Sequence, residues 1–399
     1  MKKLLLLVAG VVVYSSAFGQ TKQSNALVQG AQEIPVQFMG VTGNLIDYVE
    51  PHGTVNEITK TLKTGYHPKD DWILNEAVNP NALPQGEDPA LQKIYPPPAT
   101  DKALNYNWDA ISNFSVSPAD PTVDVGPNHV VHMTNGPSGA YIQVYDKTGT
   151  AIGGQVYFDN FMGMAGGLGD PIVLYDERAD RWMLSEFSAS GNNMHVAISQ
   201  TADPTGAYYT FVFNAPNFPD YPKYSIWEDA YIITTNESGN SPIYALNRAD
   251  LLSGTATTAQ RFTVPSYGTI GFQAATPVSL NGTTLPPANT PPMVMRMRDD
   301  AWAGVPSDAL EIWDVNIDWA NSGNSSVTQN ITLGMGAVPA FDSDLCGYTS
   351  FSCIDQPSSN TNLDPLREVL MNRIHYRNFG SHESIVCCHV TDVLSLIHI

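Results

Sequence analysis

Asp170-Pro171-Ile172-Val173-Leu174-Tyr175-Asp176, a turn over Glu177 to Asp180, and Trp182-Met183-Leu184-Ser185-Glu186-Phe187 read as two paired strands. Short runs rich in β-branched and aromatic residues, bounded by Asp, Gly and Pro, carry the strand signal. Met194 to Ser199 supplies a third strand, and Tyr208 to Phe213 a fourth after Asp203-Pro204-Thr205-Gly206. Upstream, Asp120-Pro121-Thr122-Val123-Asp124-Val125 turns at Gly126-Pro127-Asn128 into Val130 to Asn135, and Tyr141 to Asp146 follows. Downstream, Asp220-Tyr221-Pro222-Lys223-Tyr224-Ser225-Ile226 opens a third unit, with Tyr231 to Thr235 and Ile243 to Leu246 as its next strands. Pro121, Pro171 and Pro222 are 50 and then 51 residues apart. A repeat of this length with three or four strands is the mark of propeller blades. One small twisted sheet cannot bury both faces alone, so blades stack around an axis. Proline at a strand's first residue is where a sheet tolerates it.

Two weaker units follow. One spans Phe272 to Pro277, Met293 to Arg298 and Ala309 to Val315; the other runs from about Pro365 to Val393. The expectation is an all-β chain: a β-propeller over residues 106–393, with five or more blades in the full protein and an incomplete closure here. A β-sandwich with chance Asp-Pro turns is the alternative. Residues 20–105 read as an irregular extension. It holds one short strand, Val36 to Val41 after Pro35, and a linker from Asn79 through Pro96-Pro97-Pro98.

The two ends carry their own signals. Lys2 and Lys3, the apolar run Leu4 to Val13 and Ala17-Phe18-Gly19 read as a signal peptide over residues 1–19. The apolar run is short of the roughly 20 residues a membrane helix needs, and no later stretch reaches that length. The last six residues, Leu394 to Ile399, read as the translated end of a transposon used in sequencing libraries. The natural chain is then expected to run past about Val393 with other residues.

Formal net charge is −20, and −22 once Lys2 and Lys3 leave with the signal. Such a chain repels nucleic acid and anionic membranes and attracts Ca²⁺ or cationic ligands. Of the four cysteines, Cys346 and Cys353 flank a short loop and are expected to pair in an oxidising compartment. Cys387 and Cys388 are adjacent in a strand-like run and point to opposite faces. No Cys-x-x-Cys pair is present, and zinc fits poorly.

Four segments carry a family resemblance: Asp-Pro-x-Val with Val-Gly-Pro-Asn-His (120–129), Tyr-Asp-x-x-x-x-Arg-Trp (175–182), Ser-x-Thr-x-Asp-Pro-Thr-Gly (199–206) and Tyr-Arg-Asn-Phe (376–379). They resemble a poorly characterised group of large exported bacterial proteins that often end in a sorting domain for type-nine secretion. The resemblance covers roughly residues 106–393. It implies a propeller, secreted or held at the outer surface of a Gram-negative bacterium, and no particular reaction.

Asp120, Asp170 and Asp220 open equivalent units, so a propeller would set them in a ring at one rim, suited to Ca²⁺ or a polyhydroxylated ligand. Asp before Pro is also a routine turn starter. A glycosidase needs two carboxyl groups about 5–5.5 Å or 6.5–9.5 Å apart. Asp170, Glu186, Glu228 and Asp229 are the candidates, and Trp227 is an apolar neighbour to Glu228. A sialidase-like site would gather arginines with a Tyr/Glu pair; Arg296, Arg298, Arg373 and Arg377 are available beside Tyr376. Trp227 and Trp302 are candidate sugar-stacking faces, whereas Trp182, Trp313 and Trp319 are expected between blades. His129 and His132 face opposite sides of an extended chain and cannot easily share an ion. Gly166-Gly167-Leu168-Gly169 lacks the Lys-Ser/Thr of a nucleotide loop and reads as a flexible connection. No cofactor is indicated beyond Ca²⁺. The first reading is a binding or adhesion module for an extracellular glycan, protein or ion; the alternative is a glycoside hydrolase on the same scaffold.

Overall fold

The computed structural model describes residues 26–48, 60–61, 105–111, 116–164, 166–188, 190–238, 240–267, 274–330, 338, 340–343, 362, 366 and 368–391. The expected signal peptide (residues 1–19), the Cys346–Cys353 loop and the last six residues lie outside them.

Two strands, β1 (Leu27–Gln29) and β2 (Gln32–Val41), come first, and two short ones, β3 (Lys60–Thr61) and β4 (Val116–Ser117), pair with each other. Blade 1 is β5 (Thr122–Val125), β6 (His129–Gly136), β7 (Gly139–Asp146) and β8 (Ala151–Tyr157). Helix α1 (Phe158–Met162) leads to blade 2: β9 (Gly167–Asp176), β10 (Arg181–Ser188), β11 (Asn193–Ser199) and β12 (Tyr208–Asn214). Blade 3 is β13 (Asp220–Ile226), β14 (Ala230–Asn236), β15 (Ser241–Asn247), then helix α2 (Arg248–Leu252) and β16 (Thr257–Val264). Blade 4 is β17 (Thr276–Asn281), β18 (Met293–Arg298), β19 (Ala309–Asn316) and β20 (Ser326–Gln329). The hairpin β21 (Ile374–Asn378) and β22 (Glu383–Val386) begins a fifth. Within each blade the strands pair antiparallel in chain order.

The first strands β5, β9, β13, β17 and β21 lie side by side in that order. Arg373, just before β21, reaches back to Asp124 on β5 at 2.8 Å. Five first strands therefore surround one axis, which makes the chain a β-propeller: four full blades and the opening hairpin of a fifth among the described residues.

The strands are apolar on both faces because blades stack face to face. One cluster, with Val131, Ile142 and Trp182, fills the gap between blades 1 and 2. A second, with Met183, Phe211 and Tyr244, joins blades 2 and 3. A third, with Ile232, Phe262 and Trp313, joins blades 3 and 4, and Trp319 packs at its edge. On the far face of blade 4, Met295 and Ile312 pack with Tyr376 of the last hairpin and with Trp227, just after β13. Each fully buried large side chain contributes about 1.5–3 kcal/mol.

Within the N-terminal region, residues 27–41 pair with the blades. Gln32 to Val36 of β2 pair with β16, and Gln37 to Val41 with β12. One strand thus hems the outer edges of blades 2 and 3 into a nine-stranded sheet. Strand β1 does the same for β20 of blade 4. The physical reason is the row of unpaired backbone groups that an outer strand would otherwise expose.

The repeat also needs a one-residue correction. Asp120, Asp170 and Tyr221 adopt positive φ (39°, 50° and 54°), each directly before its blade's proline. Tyr221, not Asp220, therefore occupies the third equivalent place. Asp220 pairs in register with Asn236 on the far side of a bulge between Asp220 and Lys223.

Candidate functional site

The starts of β5, β9 and β13 form one mouth of the axis. Asp120, Asp170 and Tyr221 hold a left-handed backbone there, a conformation that costs on the order of 1–3 kcal/mol and that the surrounding structure must enforce. Asn135 on β6 does much of the enforcing. Its Nδ2 donates to Asp120 Oδ2 at 3.0 Å and to the Pro118 carbonyl at 2.9 Å, while its Oδ1 accepts from the Asp170 N–H at 2.9 Å. One amide thus ties the carboxyl group of blade 1 to the backbone carrying that of blade 2. Asp120 is half-buried and Asp170 is 9% exposed. In blade 3 Asn236 is buried, and neither of its amide atoms has a hydrogen-bond partner among the described residues.

Behind Asp170 lies a second, sealed pair of acids. Glu186 Oε1 accepts from the N–H groups of Gly169 (2.7 Å) and Ala140 (3.1 Å), and Asp159 Oδ2 accepts from Gly167 (3.0 Å). A Cβ on Gly139 would lie 2.8 Å from Glu186 Oε1 and 2.9 Å from Asp159 Oδ1, so the two carboxyl groups face the same spot. Burial drives the Glu186 pKa well above the ordinary value, and the charge of Asp159 adds to it. Burial likewise raises Asp159, opposed by the Gly167 N–H. Burial thus favours the protonated form of both groups. Glu186 and Asp159 are 1% and 3% exposed, so they back the mouth rather than line it. Nearby, burial lowers the His195 pKa to about 4.

The other sequence candidates disperse. Glu228 and Asp229 are exposed beyond the far end of β13. At about 3.3 Å per residue they stand roughly 25 Å from the mouth, and no pair with Asp170 or Glu186 forms. Trp227 is 1% exposed, donates from Nε1 to the Thr290 carbonyl at 3.1 Å and packs on Tyr376. Trp302 is buried against Tyr267. Neither tryptophan offers a face to a sugar, because each closes an apolar cluster. Arg296 and Arg298 are also buried, with Arg296 Nη2 2.7 Å and Arg298 Nη1 3.5 Å from Glu311. Arg373 is committed to Asp124, and Arg377 lies over the Phe379 ring, so the four arginines do not gather round Tyr376. The tyrosine that bonds a glutamate beside two arginines is Tyr267, which donates to Glu311 Oε1. No local pattern marks Tyr267, since its partner Glu311 lies 44 residues away on β19.

Among the described residues, the three carboxylates whose oxygens all lie within 4.8 Å of one another are Asp299, Asp300 and Asp308, not the three blade-start positions. Asp299 Oδ2 accepts from the Ser343 N–H and Oγ, and Asp308 Oδ2 from the Phe341 N–H, so this group ties the β18–β19 loop to residues 341–343. Burial and the other two charges raise the Asp300 pKa.

No family model and no curated protein matches the chain. Among solved structures it is similar to a family-43 β-1,3-galactosidase at 11% identity and a TM-score of 0.24, over 52% of this chain and 54% of that one. A thermostable family-43 glycoside hydrolase gives 14% identity and a TM-score of 0.31, over 55% and 72%. The NanB sialidase of Streptococcus pneumoniae gives 11% and 0.28, over 52% and 30%. The chain spans about half the length of the galactosidase. The propeller assignment rests on the strand order and pairing described above.

Proposed function

We propose that the protein is an exported, carbohydrate-active propeller that hydrolyses a glycosidic bond at the axial mouth, with Asp120 and Asp170 as the carboxyl pair. The observation that carries this reading is the Asn135 amide, which holds Asp120 and the backbone of Asp170 at the starts of adjoining strands. Glycoside hydrolysis needs one carboxyl to protonate the leaving oxygen and another to act as base or nucleophile. Asp170, the more enclosed, is assigned the proton donor. Asp120, half-exposed, is assigned the base or nucleophile. The sealed acids Glu186 and Asp159 support Asp170 from behind.

A second reading is favoured by Asn236. Its buried amide, with neither polar atom partnered among the described residues, suits sugar hydroxyls without any chemistry. On that reading Asp120, Asp170, Asp220 and Asn236 bind a glycan on the outer surface of a Gram-negative bacterium.

One experiment separates the two. Reducing-end release is measured over a panel of oligosaccharides, with binding followed by calorimetry. Hydrolysis that falls about 10²-fold or more in Asp120→Asn and Asp170→Asn supports the enzyme. Binding without turnover, weakened in Asn236→Ala, supports the module. Neither activity on any glycan sinks both.

A further inference from the structure

The hairpin β21–β22 stands where a fifth blade belongs, yet blades 1 to 4 each have four strands and this one has two among the described residues. Among the described residues strand β22 pairs with β21 alone, which leaves its other edge without a partner strand there. Beside that edge runs a groove of about 600 Å³, lined by Met293, Met295, Leu310, Ile312, Ile385 and Cys387. Met293 and Met295 on β18, with Leu310 and Ile312 on β19, belong to the face of blade 4 turned away from blade 3. The blade-2 face that blade 1 meets is, by contrast, covered by β6, β7 and β8.

Met293, Met295 and Ile312 are already 3%, 3% and 5% exposed, and the opposite side of the gap is the more open one. Val123 and Val125 on β5 are each 51% exposed, and Val386 at the end of β22 is 65% exposed. Apolar side chains on both flanks of one incomplete blade mark a seat for missing sheet, since isolated hairpins gain stability from added strands.

We propose that this groove seats the third and fourth strands of blade 5, supplied by sequence that follows β22, with the third strand pairing antiparallel on the open edge of β22. The pairing answers the unpaired backbone groups of β22, and the inward side chains cover the half-buried Leu310 and Ile385. The same two strands bring the blade's far face against Val123 and Val125. The exposed row of β5 is then an inter-blade contact rather than a docking surface.

The test recovers the reading frame past residue 399 from source DNA and expresses the longer product beside the 399-residue chain. Two readouts are compared: amide exchange at Glu383–Val386, and iodoacetamide labelling of Cys387, resolved from its neighbour Cys388 by tandem mass spectrometry. Cys387 is half-buried in the groove and Cys388 is exposed, both as free thiols, so the second reports general access. The proposal expects two further strand-like runs, slowed exchange on β22, and Cys387 labelling about tenfold slower or more with Cys388 little changed. A frame that ends at residue 399 overturns it, as does an extension that leaves both readouts unchanged. Protection of β22 that grows with concentration in the 399-residue chain also overturns it, by giving the groove to a second copy. If the longer product does not purify, a synthetic peptide of the first added strand is offered to the 399-residue chain. Protection of Cys387 supports the proposal, and no protection up to the peptide's solubility limit overturns it.

Discussion

Burial holds the Glu186 proton well above the ordinary pKa of 4.5, and Asp159 adds to the shift. A group raised in the folded state contributes stability that is full below its unfolded pKa and is lost as pH rises toward the folded value. Glu186→Gln removes that loss: its oxygen keeps the Gly169 and Ala140 bonds, and its amide can donate to Asp159. The expected outcome is a variant more stable by about 1–2 kcal/mol at pH 8, with melting curves that converge near pH 4.5. A pH-independent difference would sink the account of a Glu186 proton held by burial. Glycine is the other half of this site. Gly139 has φ +143°, and a Cβ there would press on both carboxyls, so Gly139→Ala is expected to lose about 2 kcal/mol or more by denaturant titration. Glu186 was legible in the sequence as a candidate; Asp159 was not, because it reaches the site from α1, 27 residues earlier. The Gly166–Gly169 run was read as a flexible connection. Gly167 and Gly169 instead belong to β9, where a side chain at Gly167 would collide with Asp159 and Glu186, and one at Gly169 with Asn135.

Strand β2 joins two blades with ten residues. Its inward side chains Ile34 and Val36 are 8% and 2% exposed, within the cluster between blades 2 and 3. Val36→Asp buries a carboxylate with no partner, and about 3–4 kcal/mol of stability should be lost. Amide exchange should rise first on β12 and β16, the strands it hems, before β9 and β13. Uniform acceleration through all blades would show that β2 stabilises the fold without guarding those edges. Sequence reasoning found only the second half of β2, since proline argues against the interior of a strand. Pro35 is accommodated because Gln32 to Val36 have one partner, β16, which leaves an open side for the missing donor. The blade strands were far more legible, because faces buried on both sides give continuous apolar runs between turn residues. Lateral partners were not, since hydrogen bonds between β2 and β12 join residues about 170 apart.

The ring is held by polar locks between first strands and their neighbours, and their depth sets what each contributes. Asp176 at the end of β9 is 1% exposed, accepts from Arg248 Nε at 2.6 Å and Nη2 at 2.9 Å, and also accepts from Tyr231 at 2.8 Å. This lock joins blades 2 and 3. Asp124 on β5 accepts from the Tyr175 N–H of blade 2 and from Arg373 beside blade 5, both at 2.8 Å. Its ion pair is wetter, with side chains 26% and 18% exposed. A period near 50 residues made the blades countable in sequence, but neither lock was visible there, because they join residues 51 to 249 positions apart. Arg248→Met leaves a buried carboxylate with Tyr231 and backbone N–H groups alone, and about 3 kcal/mol should be lost. Arg373→Met should cost less than about 1 kcal/mol and less again at high salt. A double-mutant cycle over Asp124→Asn and Arg373→Met, by thermal denaturation at low and high salt, measures the closing contact alone. A coupling as large as that of Asp176 with Arg248 would mean that Arg373 closes the ring by itself. The small, salt-sensitive coupling expected here leaves ring closure to apolar packing between the blades.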